Sequence, residues 1–303
     1  MGGQPHARRA AAGRVIPPPF GYARPASVGE AVAILAADPE AKVLAGGHSL
    51  VPLLKLRLAE PSQLVDIGRI PGLRYVREEG AFVVIGAMTT HYEVETSDLL
   101  RRVIPLLPDT VRHIGDVQVR HRGTIGGSLA HADPAADLGA AALALDAVFV
   151  AHGPSGARQI PASDFFVDLL TTALAPDEVL TEVRFPIPAG TPSSCYVKFN
   201  RRSIDWAIAG VAAQVLFDGN VVRDVGIGLT AVANTPVRAS AVEARLRSQR
   251  WSTELVREAS QLASDGLDPP SDHSASAEYR LHLSHVLTVR ALEQAALNAG
   301  VAG

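Results

Sequence analysis

The sequence Ala45-Gly46-Gly47-His48-Ser49 lies between a short strand pattern at 42–45 and an apolar helical pattern at 50–58. A second strand pattern follows at 64–67. Strand, glycine turn, helix and strand in this order predict a compact α/β unit. The capping box of Ser27 and Glu30 predicts one more helix before it.

A second glycine pair occurs in Thr124-Ile125-Gly126-Gly127-Ser128, followed by Asp137 in the first turn of a helix predicted at 135–145. Paired glycines allow positive φ and a close approach of ligand to successive N–H groups, an arrangement that binds phosphate. Two such loops suit a pyrophosphate. Each pair alone is more typical of an ordinary tight turn, and neither the Rossmann nor the Walker glycine motif is present.

The rest of the chain predicts an α+β fold. Residues 69–190 contain strand patterns at 81–87, 147–151 and 179–185 and one helix from Ser97 to about Ile114. After a boundary at Pro186–Pro192, antiparallel strands are predicted at 196–199, 207–217 and 221–233, with a hairpin turn at 218–220; helices follow from Arg238. The predicted ranges are a disordered extension at 1–16, two subdomains at about 17–68 and 69–190, and a C-terminal domain with a small antiparallel sheet and helices at 191–303.

Composition excludes several classes of protein. The net charge of −3 offers no basic surface for nucleic acid. One cysteine, Cys195, excludes an internal disulfide and a cysteine-ligated iron–sulfur cluster or zinc site on this chain. No apolar run reaches the roughly 18 residues of a transmembrane helix, and residues 1–15 lack the apolar region of a secretory signal. We expect a cytoplasmic protein.

Two other site chemistries are disfavoured. His131, Asp133 and Asp137 are close in sequence, but two carboxylates near one histidine are common on solvated surfaces, so no metal is predicted. His48 and Ser49 are adjacent in a turn, where side chains seldom face each other, and Val51 breaks the nucleophile-elbow motif. Neither arrangement predicts a metal ligand or a nucleophile, and we name no catalytic acid or base.

Two long stretches carry a family resemblance. Residues 45–58 (AGGHSLVPLLKLRL) and 124–137 (TIGGSLAHADPAAD) resemble the medium, FAD-binding subunits of aerobic carbon monoxide dehydrogenases and, more broadly, the flavin domain of the xanthine dehydrogenase family. Supporting stretches occur at 85–91, 172–180 and 276–280, and the similarity runs from about Pro17 to Ala296.

The resemblance implies an FAD-binding domain of the vanillyl-alcohol-oxidase type, with non-covalent FAD between its two subdomains. Its pyrophosphate would lie on the two glycine loops, with hydroxyl donors from Ser49, Thr124 and Ser128. Asp137 would accept hydrogen bonds from the sugar-alcohol hydroxyls, Leu180 would pack beside the flavin, and Lys198 would lie near the isoalloxazine. Without the resemblance, Asp137 is a helix first-turn carboxylate and Lys198 an ordinary strand lysine. The FAD-binding residues implied are Ala45, Gly46, Gly47, His48, Ser49, Thr124, Ile125, Gly126, Gly127, Ser128, Asp137, Leu180 and Lys198.

The function that the resemblance implies is electron transfer within a molybdenum hydroxylase. A large subunit would hold molybdopterin and a small subunit two [2Fe–2S] clusters, in a dimer of heterotrimers, and this chain's FAD would pass electrons to an external acceptor. Two alternatives stay open at this point: a self-sufficient FAD-dependent oxidoreductase with its own substrate, and a non-enzymatic FAD or nucleotide sensor.

Overall fold

The computed structural model describes residues 16–301, so the extension predicted at 1–16 lies, apart from Ile16, outside the described residues. The first unit is a three-stranded parallel sheet in the order β1-β3-β2 with two helices. Ser27 caps the first helix by accepting from the Glu30 amide, but the Glu30 carboxylate accepts from Ala26 instead, so the predicted capping box is only half formed. The elements are β1 (Gly21–Ala23), α1 (Val28–Ala37), β2 (Lys42–Leu44), α2 (Leu50–Lys55) and β3 (Gln63–Asp66).

The second unit contains a five-stranded antiparallel sheet in the order β4-β5-β10-β6-β7. Its central strands and helices enclose the largest core cluster, in which Phe149 stacks on Phe165. Its elements are β4 (Val76–Glu79), β5 (Phe82–Gly86), α3 (His91–Thr96), α4 (Asp98–Val103), α5 (Leu106–Val111), α6 (Val117–Arg120), α7 (Ile125–His131), α8 (Asp137–Ala144), β6 (Val148–Gly153), β7 (Gly156–Pro161), α9 (Ala162–Phe165), β8 (Phe166–Asp168), β9 (Thr171–Thr172) and β10 (Val179–Pro186).

The prediction of one helix from Ser97 to about Ile114 is wrong, because the segment forms α4 and α5 with a break between them. Ile104 ends α4 with φ −138° and ψ 66°. It precedes Pro105, and the proline ring disfavours helical backbone at the residue before it.

The third unit is a four-stranded antiparallel sheet in the order β11-β12-β13-β14, with helices packed against it. Gly219, with φ +56°, forms the predicted hairpin turn between the two long strands. No helix among residues 16–301 is both long and apolar enough to cross a bilayer. The elements are β11 (Ser193–Phe199), β12 (Ala209–Asp218), β13 (Val221–Thr230), β14 (Val237–Arg238), α10 (Ser240–Leu246), α11 (Thr253–Ser260) and α12 (Ala277–Asn298).

Helix α8 joins the second and third units. A Cβ atom on Gly228 would lie 2.0 Å from the Ala140 carbonyl oxygen, so the strand β13 and the helix touch through their backbones. The Thr230 hydroxyl bonds to the carbonyl oxygens of Pro134 and Ala136, at 2.7 and 2.8 Å. The start of α8, where Asp137 lies, is therefore fixed by the third unit.

Each of these sheets lies within one of the predicted ranges, 17–68, 69–190 or 191–303. The ranges themselves stay a prediction, whereas the predicted α+β class is confirmed.

Candidate functional site

A cavity of about 570 Å³ lies where the three units meet. It is lined by both glycine segments, by the start of α8 and by the end of β11. Of the residues predicted to bind FAD, the structure brings these to its wall: Ala45, Gly46, Gly47, His48, Ser49, Thr124, Gly127, Ser128, Asp137 and Lys198.

The first glycine loop presents unpaired backbone donors. Gly47 has φ +76°, a conformation that side-chain-bearing residues rarely adopt. Among the described residues, no acceptor pairs with the N–H groups of residues 46–49. Because residues 46–49 line the cavity, their unpaired donors lie at its wall, as the predicted phosphate-binding loop requires.

The second glycine loop has a different structure from the one expected. The N–H groups of residues 125–128 are used within the protein: Ile125 donates to the Thr89 carbonyl and Gly126 to the Ala87 carbonyl, each at 2.9 Å. Gly127 donates to the Thr124 hydroxyl at 3.1 Å, as in an N-cap, and Ser128 to the Thr124 carbonyl at 3.0 Å. The loop therefore presents no run of free successive amides, and binding of pyrophosphate by its backbone stays a prediction; Thr124, Gly127 and Ser128 line the cavity.

The two loops pack directly against each other. A Cβ atom on Gly46 would lie 2.3 Å from the Arg122 carbonyl oxygen and 2.9 Å from the Gly123 Cα, so only glycine fits there without movement. The exposed His48 ring lies 3.1 Å from the Gly46 carbonyl oxygen, through Nδ1. His48 thus supports the first loop rather than facing Ser49.

Asp137 and Lys198 form a buried ion pair across two units. Lys198 Nζ lies 3.0 Å from Asp137 Oδ2, and both side chains are 3% exposed. The Tyr196 hydroxyl donates to Asp137 Oδ1 at 2.5 Å, and Lys198 also donates to the His113 carbonyl at 3.0 Å. As predicted from their alternation on β11, Tyr196 and Lys198 share one face.

Burial sets the protonation of this network. It raises the pKa of Asp137, and the Lys198 ammonium and Tyr196 hydroxyl oppose that rise. Burial also raises the pKa of Tyr196 well above its ordinary value, assisted by the Asp137 charge. Tyr196 is therefore a neutral donor, and the Lys198 charge is balanced locally by a carboxylate rather than standing alone beside the cavity.

Three residues predicted to bind FAD lie behind the cavity wall. Ile125 is fully buried, and a Cβ atom on Gly126 would lie 2.5 Å from Ala87 Cβ. Leu180, paired with Ala151 on the neighbouring strand, belongs to the hydrophobic core. The structure places them beneath the site, so their contact with a ligand stays a prediction.

The cavity is also lined by residues to which no role was assigned from the sequence. Ile204 and Trp206 are 55% and 56% exposed at its edge, in a loop after β11. Leu174 and His91 lie in two of the stretches that carry the family resemblance, which is the signal that could have found them. Among residues 16–301, no three His, Cys, Asp or Glu side chains are grouped to hold a metal ion.

Comparison with known proteins agrees with this arrangement. A family model described as "FAD binding domain in molybdopterin dehydrogenase" matches residues 18–188, and one described as "CO dehydrogenase flavoprotein C-terminal domain" matches residues 194–295. The chain belongs to this flavoprotein family. The predictions of the family, of an FAD-binding domain and of an oxidoreductase subunit are therefore confirmed.

Relatives of this flavoprotein are medium chains of dehydrogenases. It is 43% identical to the carbon monoxide dehydrogenase medium chain of Hydrogenophaga pseudoflava, covering 93% of this chain and 98% of the relative. It is 36% identical to the glyceraldehyde dehydrogenase medium chain of Sulfolobus acidocaldarius, covering 92% and 99%. A solved structure of the Hydrogenophaga enzyme lacking the Mo-pyranopterin moiety matches with a TM-score of 0.91 at 44% identity, covering 93% of this chain and 99% of that chain.

Proposed function

We propose that this chain is the electron-transferring FAD subunit of a cytoplasmic molybdenum hydroxylase. In this proposal electrons arrive from [2Fe–2S] clusters on a small subunit, which receive them from a molybdopterin-containing large subunit, and leave through FAD to an external acceptor. The observation that carries it is the single cavity shared by both glycine segments and the Asp137–Lys198 pair.

The residues present fit FAD at this cavity. The unpaired N–H groups of residues 46–49 provide donors for phosphate oxygens without adding net charge. The Thr124 and Ser128 side chains stand on the same wall. When bound, FAD supplies the chemistry of accepting electrons singly and delivering them singly or in pairs; the protein binds and orients it.

The Asp137 carboxylate has unused acceptor sites for the proposed hydrogen bonds from the sugar alcohol of FAD. A carboxylate has about four acceptor sites, and the structure uses one on each oxygen, for Tyr196 and Lys198. The remaining sites allow Asp137 to accept from hydroxyl groups of the sugar alcohol. The hydrogen bonds from Tyr196 and Lys198 hold the carboxyl group in place for that role.

The number of cysteines bears on which subunit would hold an iron–sulfur cluster. Cys195 is the one cysteine in the sequence, so a cysteine-ligated cluster must lie on another chain. The relatives are themselves named as medium chains or subunits of larger dehydrogenases. We propose a dimer of heterotrimers containing this chain, a small iron–sulfur subunit and a large molybdopterin subunit.

The experiment compares the isolated chain with the assembled complex under anaerobic conditions. The isolated chain should bind one FAD non-covalently, contain no iron or molybdenum, and leave FAD oxidised when carbon monoxide, aldehydes or N-heterocycles are added. After the chain is mixed with its partner subunits, one of these substrates should reduce the FAD. Turnover by the isolated chain would instead support a self-sufficient oxidoreductase, and failure to bind FAD would refute both readings.

A further inference from the structure

His91 is a buried histidine on the cavity wall with no partner for its ring. Its side chain is 3% exposed, and no described residue pairs with Nδ1, which is enclosed by protein. Nε2 also makes no hydrogen bond among residues 16–301, but unlike Nδ1 it is accessible, and His91 lines the cavity. Burying an imidazole without a hydrogen-bond partner costs folding free energy, unless a bound ligand supplies the partner.

The position of this ring is fixed by the second glycine segment. The His91 amide donates to the Gly123 carbonyl at 2.9 Å, and Thr90 and Thr124 form an antiparallel bridge beside it. A Cβ atom on Gly123 would lie 2.7 Å from the His91 Cδ2 and 2.9 Å from its Nε2. Gly123 also packs against Gly46, so one glycine contacts both the ring and the first loop, and His91 and residues 46–49 line the same cavity.

The enclosure of Nδ1 determines which nitrogen carries the proton. A buried N–H without an acceptor is rarer and more costly than an acceptor without a donor, so the proton of the neutral ring belongs on Nε2. Burial, together with the charges of Arg120 and His48, lowers the pKa of His91 to about 4. At neutral pH the ring therefore presents an uncharged N–H to the cavity.

We propose that His91 is a further binding residue of this site, whose Nε2–H donates to a phosphate oxygen of the bound dinucleotide. The inference rests on the proposed binding of FAD. It follows from the position of the donor, which lies beside Gly123, on the wall shared with residues 46–49, whose amides are unpaired. The amides of residues 125–128 are already used within the protein.

The test measures FAD affinity of FAD-free protein by calorimetry in matched variants. His91→Leu should weaken binding about tenfold, the loss typical of one hydrogen bond to a charged group. His91→Gln, whose amide nitrogen can stand in for Nε2, should remain within about threefold of wild type. His121→Leu is the matched control: His121 stacks on Tyr92 with ring centroids 4.0 Å apart, is exposed and is absent from the cavity wall, so affinity should not change.

A phosphorus NMR spectrum of saturated FAD complexes separates a phosphate contact from simple packing. At least one of the two phosphorus signals should move between wild type and His91→Leu. If the leucine variant does not fold, the comparison uses His91→Asn, whose shorter amide does not reach the place of Nε2. Unchanged affinity, or weaker binding with both phosphorus signals in place, would overturn the assignment. A wild-type chain that takes up no FAD would instead refute the proposed function.

Discussion

Replacing Lys198 with methionine tests whether the buried ion pair holds the site together. The substitution keeps a long side chain but leaves the Asp137 carboxylate, 3% exposed, without its cation. At 3.0 Å and an effective dielectric of about 20, the gross attraction is roughly 5–6 kcal/mol. Desolvation offsets part of it, and removing one partner of a buried pair costs roughly 3–5 kcal/mol.

The assay is urea unfolding of the FAD-free protein, followed by circular dichroism at pH 8 and pH 5.5. Lys198→Met should lower the free energy of unfolding by about 3–5 kcal/mol at pH 8. The loss should shrink at pH 5.5, because without Lys198 the raised pKa of Asp137 rises further and the carboxyl takes up a proton in the folded state.

Two further variants control this experiment. Lys198→Met combined with Asp137→Asn removes both charges and should recover most of the loss. Lys55→Met alters an exposed lysine and should stay within about 0.5 kcal/mol of wild type. If Lys198→Met costs less than about 1 kcal/mol, or if the double variant is as unstable as the single one, the ion pair does not carry the stability assigned to it.

Three other outcomes are expected. Gly127→Val should weaken FAD binding at least about tenfold, because its Cβ would lie 2.7 Å from the capping Thr124 hydroxyl and intrude on the cavity; calorimetry showing wild-type affinity would contradict this. The folded-state pKa of His91, about 4 against an ordinary 6.5, means that stability present above pH 6.5 is lost as pH falls towards 4, by about 3 kcal/mol in total. In His91→Gln, the pH dependence of the free energy of unfolding, measured by urea titrations, should correspond to about one proton fewer. An unchanged pH dependence would refute the assignment of this low pKa to His91. An unpaired positive charge at position 198 would raise the flavin midpoint potential by about 20–40 mV. Because Lys198 is paired with Asp137, the double variant Lys198→Met with Asp137→Asn should shift the potential by less than about 10 mV in a spectroscopic redox titration. A drop of 20 mV or more would mean that the lysine acts on the flavin as an unpaired charge.

The strands of the core were predictable because their apolar patterns are long. The predictions at 207–217 and 221–233 overlap β12 and β13, in each of which seven of the ten residues are buried. β7 was missed because it is an edge strand with one buried residue, Ile160, and carries no apolar alternation. Strands β1, β8 and β9 have three residues or fewer, too short for a periodic pattern to be detected.

The site was predictable only in part, for a different reason. Paired glycines identify the two loops, but they do not show whether the N–H groups of a loop are free for a ligand. In the second loop, two of these N–H groups donate to the carbonyls of Thr89 and Ala87, which lie elsewhere in the sequence. Alternation placed Tyr196 and Lys198 on one face, yet their partner Asp137 lies 59 and 61 residues away in another unit. No local pattern encodes a contact of that length.

The C-terminal unit forms part of the wall of the candidate site. Asp137 begins α8, a helix of mostly small residues whose Ala140 carbonyl meets Gly228 of β13. The same unit supplies Tyr196 and Lys198, which hold the carboxylate from the other side. Residues 17–190 alone would leave Asp137 without both partners and expose the apolar face of α8. The unit that follows the FAD-binding domain therefore holds Asp137 in place. If Asp137 binds FAD as proposed, we expect cofactor affinity and the packing of the two domains to depend on each other through this carboxyl group.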